Sequence, residues 1–277
     1  MVRPHRKYDS VTRRALVALT HPSAAFQRLE YRVGDFRSRR HDKRTDQYND
    51  FTCSKEDAVR KLTSADNEAV DLAFADLSRN VVFLEYIEHS LDSGHDLIKG
   101  GISSAGDVSA SHRELLYVLC KVIKPEVVLE TGVANGVSSA FILKALDESN
   151  AGTLYSIDLP SVALRTVFHR ESGWIIPKEL RHRWKLFVGA SRSLLPRVLP
   201  GLGVDLFLHD SDHSYDNMLF EFKCVWPFIR PGGVLASDDA IGHDALLDFC
   251  DSVGCAPIIV KDAPPHAFGA VRKLRAQ

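Results

Sequence analysis

The chain has 277 residues, of which 45% are apolar, 26% charged and 9% aromatic, enough for one large core or two small ones. Its 35 Lys/Arg against 36 Asp/Glu leave a formal charge of −1, which excludes a wholly basic nucleic-acid binder and an acidic disordered chain. Within that balance, residues 1–50 hold 12 Lys/Arg and only 6 Asp/Glu, so positive charge gathers near the start. No run approaches the roughly 20 apolar residues of a membrane span, and Met1-Val2-Arg3-Pro4-His5-Arg6-Lys7 leads into no signal-type apolar core, so a cytoplasmic protein is expected. Five scattered cysteines without a CxxC (Cys53, Cys120, Cys224, Cys250, Cys255) read as reduced packing residues.

In chain order, residues 1–50 read as a basic arm, solvated or contacting another copy in a homo-oligomer. Residues 51–110 read as a helical extension ending in a Gly/Ser-rich loop. Val70, Phe74, Leu77, Val81, Leu84, Ile87 and Leu91 step by three and four, which predicts one long helix over 64–92. Ser111-His112-Arg113-Glu114 has the form of a capping box, opening a helix that must stop at Lys124-Pro125. From residue 111 to 277, short apolar runs (127–129, 153–157, 185–188, 204–208, 234–237, 257–260, 267–274) alternate with helical ones. Near-continuous apolar strands separated by helices imply a doubly wound α/β domain of Rossmann-like type, with a mostly parallel sheet covered on both faces. In such a sheet the chemistry belongs just beyond the carboxyl ends of the strands.

The first run ends in Glu130-Thr131-Gly132-Val133-Ala134-Asn135-Gly136-Val137-Ser138-Ser139. Gly132 and Gly136 permit a sharp turn at a helix start, while Glu130 would repel a pyrophosphate and suit a cationic amino-acid ligand. The second run ends at Asp158, where a carboxylate can accept two ribose hydroxyls or cap a helix. Gly189-Ala190-Ser191 end the third and leave room for a flat ring.

The pattern Glu130-x-Gly132-x-x-x-Gly136-x-Ser138, with Asp158 and the later Pro231-Gly232-Gly233, resembles the class I S-adenosylmethionine-dependent methyltransferases over residues 111–277. The resemblance implies a seven-stranded sheet with its last strand antiparallel. It also implies S-adenosyl-L-methionine held by Glu130, Thr131, Gly132, Ala134, Gly136, Ser138, Ser139, Asp158, Gly189, Ala190 and Ser191. His209-Asp210-Ser211-Asp212-His213 and Ser237-Asp238-Asp239 resemble the bacterial subgroup of macrocin-type sugar O-methyltransferases and the cephamycin-pathway enzyme, and more distantly the catechol O-methyltransferases. That subgroup implies one Mg2+ on Asp210, Asp238 and Asp239, and an acceptor that is a small hydroxylated molecule, such as a sugar of a natural product or glycolipid. Magnesium's preference for oxygen ligands agrees with three carboxylates at adjacent strand ends.

His213 stands where catechol-type relatives carry a basic lysine, and an imidazole suits general-base work; Asp210 is the rival base. Residues 159–184 and 93–111 are candidate lid segments, or in the first case a surface for self-association. The alternatives are a metal-independent enzyme using His213, a nucleic-acid or protein methyltransferase, and a non-catalytic cofactor-binding protein. Asp210-Ser211-Asp212-His213 lacks the Pro-Pro-aromatic loop of amino-methylating enzymes, and the arm lacks an aromatic-basic stacking pattern, so a nucleic-acid partner is disfavoured.

Overall fold

A computed structural model describes residues 37–98, 109–161, 164, 169–262 and 266–274. Three helices, α1 (Lys55–Thr63), α2 (Asn67–Arg79) and α3 (Val81–Ile98), precede α4 (Ala110–Ile123). The α/β part then runs β1 (Val127–Thr131), α5 (Val137–Glu148), β2 (Thr153–Asp158), β3 (Trp184–Val188), α6 (Ser191–Val198), β4 (Val204–His209), α7 (Tyr215–Val225), β5 (Ile229–Ser237), α8 (Ala245–Val253), β6 (Ile258–Lys261) and β7 (Ala267–Arg272). Seven strands form one sheet in the order β3-β2-β1-β4-β5-β7-β6, and β7 is the antiparallel strand, as expected.

Alternation along the strands builds a core on each face. Leu206, Leu208, Val234 and Ala236 join α1 to α5 on one side, while Phe207 and Leu235 join α6, α7 and α8 on the other. The burial of both faces explains the apolar runs. Helix α4 stops where expected, with Lys124 left-handed before Pro125. Its N-cap is Ser109, whose Oγ accepts from the His112 backbone N–H, and Glu114 pairs with Lys55 instead of closing a capping box with Ser111.

Two further expectations are corrected. The helix predicted over 64–92 is two helices, because Asn80 interrupts it: its side-chain amide donates to the Asp76 carbonyl and its backbone N–H to that of Leu77. A side chain competing for backbone partners in this way ends a helix despite unbroken apolar spacing. The described part of the basic arm, from residue 37, is docked on the protein. Asp244 accepts the backbone N–H groups of Lys43 and Arg44, and the Arg44 guanidinium pairs with Asp248 and Asp251 of α8. Further along, Cys53 donates its N–H to the Ile259 carbonyl beside β6. Residues 1–36 and the Gly/Ser-rich 99–108 lie outside the described residues.

Candidate functional site

The glycine loop joins β1 to α5 and is tied down from both sides. Gly132, at φ +86, is a residue where a Cβ would lie 1.9 Å from the Asp210 carbonyl oxygen; Gly136, at φ +95, is where one would lie 2.6 Å from the Gly173 Cα. Both glycines therefore admit neighbouring backbone, which no larger residue would allow. The segment 172–176 lies over the loop. Gly173 donates its N–H to Ala134, Ile175 to Asn135, and the Trp174 indole to the Asn135 side chain. The described part of this candidate lid thus belongs to the glycine-loop side. Asp158, buried at the end of β2, accepts the Val133 N–H at 3.0 Å and the Ser172 hydroxyl. A carboxylate has about four acceptor positions, so two remain for a ligand's hydroxyls.

The structure places four other expected cofactor residues inward. Glu130 is 0% exposed and accepts hydroxyls from Ser138 (2.6 Å), Ser139 (2.6 Å) and Ser156 (2.8 Å). Burial pushes its pKa up to about 7 against the pull of those three hydrogen bonds. Thr131 donates to the buried Glu221 of α7. So Glu130, Thr131, Ser138 and Ser139 bond to one another or to Glu221 in the interior; Gly132, Gly136 and Asp158 are buried as well, and Ala134 is half-buried. Gly189 donates its N–H to the Asp158 carbonyl, and half-exposed Gly189 and Ser191 flank exposed Ala190 at the neighbouring strand end.

The other half of the site sits one residue beyond β4 and β5. Asp210 donates its backbone N–H to Thr131 and Asp238 donates its own to His209, so the sheet ladder continues and sets both carboxylates side by side. Ligand atoms of Asp210, Asp238 and His213 all lie within 4.8 Å of one another, and His213 Nε2 is 3.6 Å from Asp210 Oδ1. Asp239, the third carboxylate expected to hold a metal, is not in this group. Its backbone is left-handed at φ +46, and its Oδ1 lies 2.8 Å from His266 Nδ1 in a side chain 38% exposed.

Electrostatics mark the same group. Burial, with repulsion from Asp238 and Glu130, raises the Asp210 carboxyl well above the ordinary carboxylate range despite the nearby His213. His213 moves to about 9, because Asp210, Asp239 and Asp238 outweigh the burial that opposes its charge. The imidazolium thus serves as countercharge to the carboxylates. The two carboxylates fit a divalent cation that takes oxygen ligands, and its charge beside His213 would favour the neutral imidazole.

Three histidines surround this cluster. His243 Nε2 is 2.8 Å from the His213 carbonyl oxygen, and His209, fully buried, lies 2.6 Å from Glu221 through Nδ1. His112 of α4 reaches Asp238 through Nδ1. Sequence reasoning missed His243 and His112. His112 had a signal: it stands three and four residues before Leu115 and Leu116, on the buried face of α4.

Residues 129–240 match a family model described as a methyltransferase domain. The fold is similar to that of an O-methyltransferase from Bacillus cereus in complex with SAH, with 16% identity, a TM-score of 0.52, and 78% of this chain covering 100% of that one. It is also similar to an SAH-bound Podospora anserina methyltransferase, with 13% identity, a TM-score of 0.50, and 76% covering 97%. No curated protein sequence matches this chain. No helix among the described residues is long and apolar enough to cross a membrane.

Proposed function

We propose that this chain, whose residues 129–240 match a methyltransferase-domain family model, transfers a methyl group from S-adenosyl-L-methionine to a hydroxyl of a small molecule such as a sugar, with a divalent cation, Mg2+, at Asp210 and Asp238. The observation that carries this reading is the convergence of Asp210, Asp238 and His213 beside the glycine loop. S-adenosylmethionine would supply an activated methyl group, and the cation would act as a Lewis acid on the acceptor oxygen.

The chain's own residues do the rest. The backbone of Gly132, Ala134 and Gly136 and the free acceptor positions of Asp158 orient the methyl donor, and Gly189 to Ser191 border it. His213 receives the acceptor hydroxyl's proton at Nε2, the ring atom nearest Asp210, while His243 fixes the His213 main chain from behind. Holding both reactants in one geometry supplies much of the acceleration.

Support comes from the family match, from the SAH bound by similar folds, and from carboxylates at two adjacent strand ends. The nucleic-acid reading gains nothing from the described arm, since Arg44 is already paired with Asp248 and Asp251.

The test is mass spectrometry of a panel of hydroxylated acceptors incubated with the full chain and S-adenosylmethionine, with Mg2+ or with chelator. Methylation that chelator abolishes and Mg2+ restores is expected. Full turnover after exhaustive chelation would favour the metal-independent mechanism, and no calorimetric binding of S-adenosylmethionine would overturn the reading. His213→Ala should lower kcat by about 10² to 10⁴-fold with cofactor affinity kept. A near-normal kcat in that variant would assign the proton to Asp210.

A further inference from the structure

We propose that His112 is a positioning residue for Asp238, holding that carboxylate in the orientation that binds a divalent cation. This rests on the reading that Asp210 and Asp238 carry the metal. His112 lies outside the matched residues 129–240, in the first turn of α4. It is 1% exposed, and its Nδ1 is hydrogen-bonded to Asp238 Oδ1 across 126 residues of sequence. A carboxylate can only accept, so Nδ1 is the donor. The other ring nitrogen, Nε2, is buried without a hydrogen-bond partner among the described residues, which leaves Asp238 as the ring's polar anchor.

The surrounding packing makes this a rigid arrangement. Leu115, Leu116 and Leu119 of α4 are fully buried in the core shared with α5, and the His112 ring lies against Phe268 of β7, centroids 5.7 Å apart. The ring is thus clamped between a helix and a strand and aimed at the residue that follows β5. Asp238 has one oxygen engaged by His112, and its ligand atom in the cluster lies within 4.8 Å of those of Asp210 and His213. A carboxylate fixed in this way loses little rotamer freedom on binding a cation, and removing such outer partners typically weakens metal binding by about 10 to 100-fold. The unexposed side chain of His112 has no route to the acceptor itself, so its effect acts through Asp238.

Atom position separates this role from packing. An asparagine amide nitrogen stands as many bonds from the backbone as Nδ1, whereas a glutamine nitrogen stands where Nε2 does. Mn2+ binding to the purified full chain is measured by electron paramagnetic resonance, alongside SAH binding by calorimetry and the unfolding temperature. His112→Gln and His112→Leu are expected to weaken Mn2+ binding by about 10 to 100-fold. His112→Asn should restore most of it, with SAH affinity unchanged throughout. Unaltered Mn2+ affinity in the Gln and Leu variants would overturn the role of His112 and leave the metal reading standing. Equal losses in the Asn and Gln variants, tracking a lowered unfolding temperature, would assign His112 to packing and overturn the proposal. No Mn2+ binding by the unsubstituted chain would bring down the metal reading and this role together, so the two failures are distinguishable.

Discussion

Two glutamates lie under the two halves of the site, both 0% exposed, and they respond to burial in opposite ways. Glu130, beneath the glycine loop, has three serine hydroxyls for partners, and burial wins: its pKa stands at about 7. Glu221, beneath the Asp210–His213 turn, also suffers burial, but the charge and hydrogen bond of His209, with hydroxyls from Ser191 and Thr131, more than offset it and bring the pKa to about 2. Neutral donors satisfy a buried carboxylate without making its charge favourable; an imidazole does both. The glycine-loop half is therefore a hydroxyl-bonded scaffold, and the half that bears the clustered acids stands on a buried carboxylate–imidazole pair.

The largest expected effect tests the rigidity of the scaffold half. Gly132→Val places a branched side chain at φ +86, against the Asp210 carbonyl. The contact predicts a loss of about 4 kcal/mol or more, in the range reserved for severe core strain. Denaturant unfolding checks it, and a variant as stable as the original would mean that the loop moves freely from β4.

Next in size is the buried carboxylate–imidazole pair. Glu221→Gln should destabilise by about 3 to 5 kcal/mol near neutral pH, because it leaves His209 without its carboxylate. The sign of the pH effect follows from the lowered pKa. The stabilisation is fully present above the ordinary value of 4.5 and is lost as pH falls from there toward about 2. Unfolding curves between pH 6 and 3 should therefore be steeper in the original chain than in the variant, and parallel curves would break the contrast between the glutamates.

Glu130 should show the reverse slope, in a different window. Its folded pKa is raised, so the folded state takes up a proton between pH 4.5 and about 7, and stability falls as pH rises through that interval. The decline should amount to about 2 to 3 kcal/mol, and Glu130→Gln should remove it. Stability measured at pH 5 and pH 8 in both proteins decides the matter.

Much of this was legible beforehand, for a physical reason in each case. The sheet and its strand ends show in the sequence because strands buried on both faces are written as apolar runs, and Asp210 and Asp238 follow directly from those ends. What a side chain does once there depends on partners far along the chain. Glu130, Ser138 and Ser139 satisfy one another inside, Asp239 turns to His266, and His112 reaches Asp238 from a helix whose first turn was read only for its caps. The basic arm is the extreme case: Arg44 finds its acids more than 200 residues away, beyond what local periodicity records.

The smallest predicted effect asks whether that arm belongs to the acceptor half of the site. Tyr48, 1% exposed, donates its hydroxyl to the His243 carbonyl at 2.9 Å, and His243 in turn contacts the His213 carbonyl. His41 stacks on Tyr215 at 3.8 Å, and Tyr215 meets the His243 ring edge-on. The strap from residue 37 to 52, with Tyr48 in the core, therefore supports the main chain of His213 through His243. Tyr48→Phe keeps the ring and removes one buried hydrogen bond, leaving the His243 carbonyl without that donor, for a loss of about 1 kcal/mol. If the strap positions His213, kcat should fall several-fold in the same variant while SAH affinity, set in the glycine-loop half, stays as it was. A stability loss with kcat unchanged would confine the strap to holding the fold, and an equal change in SAH affinity would show that the two halves of the site are not independent.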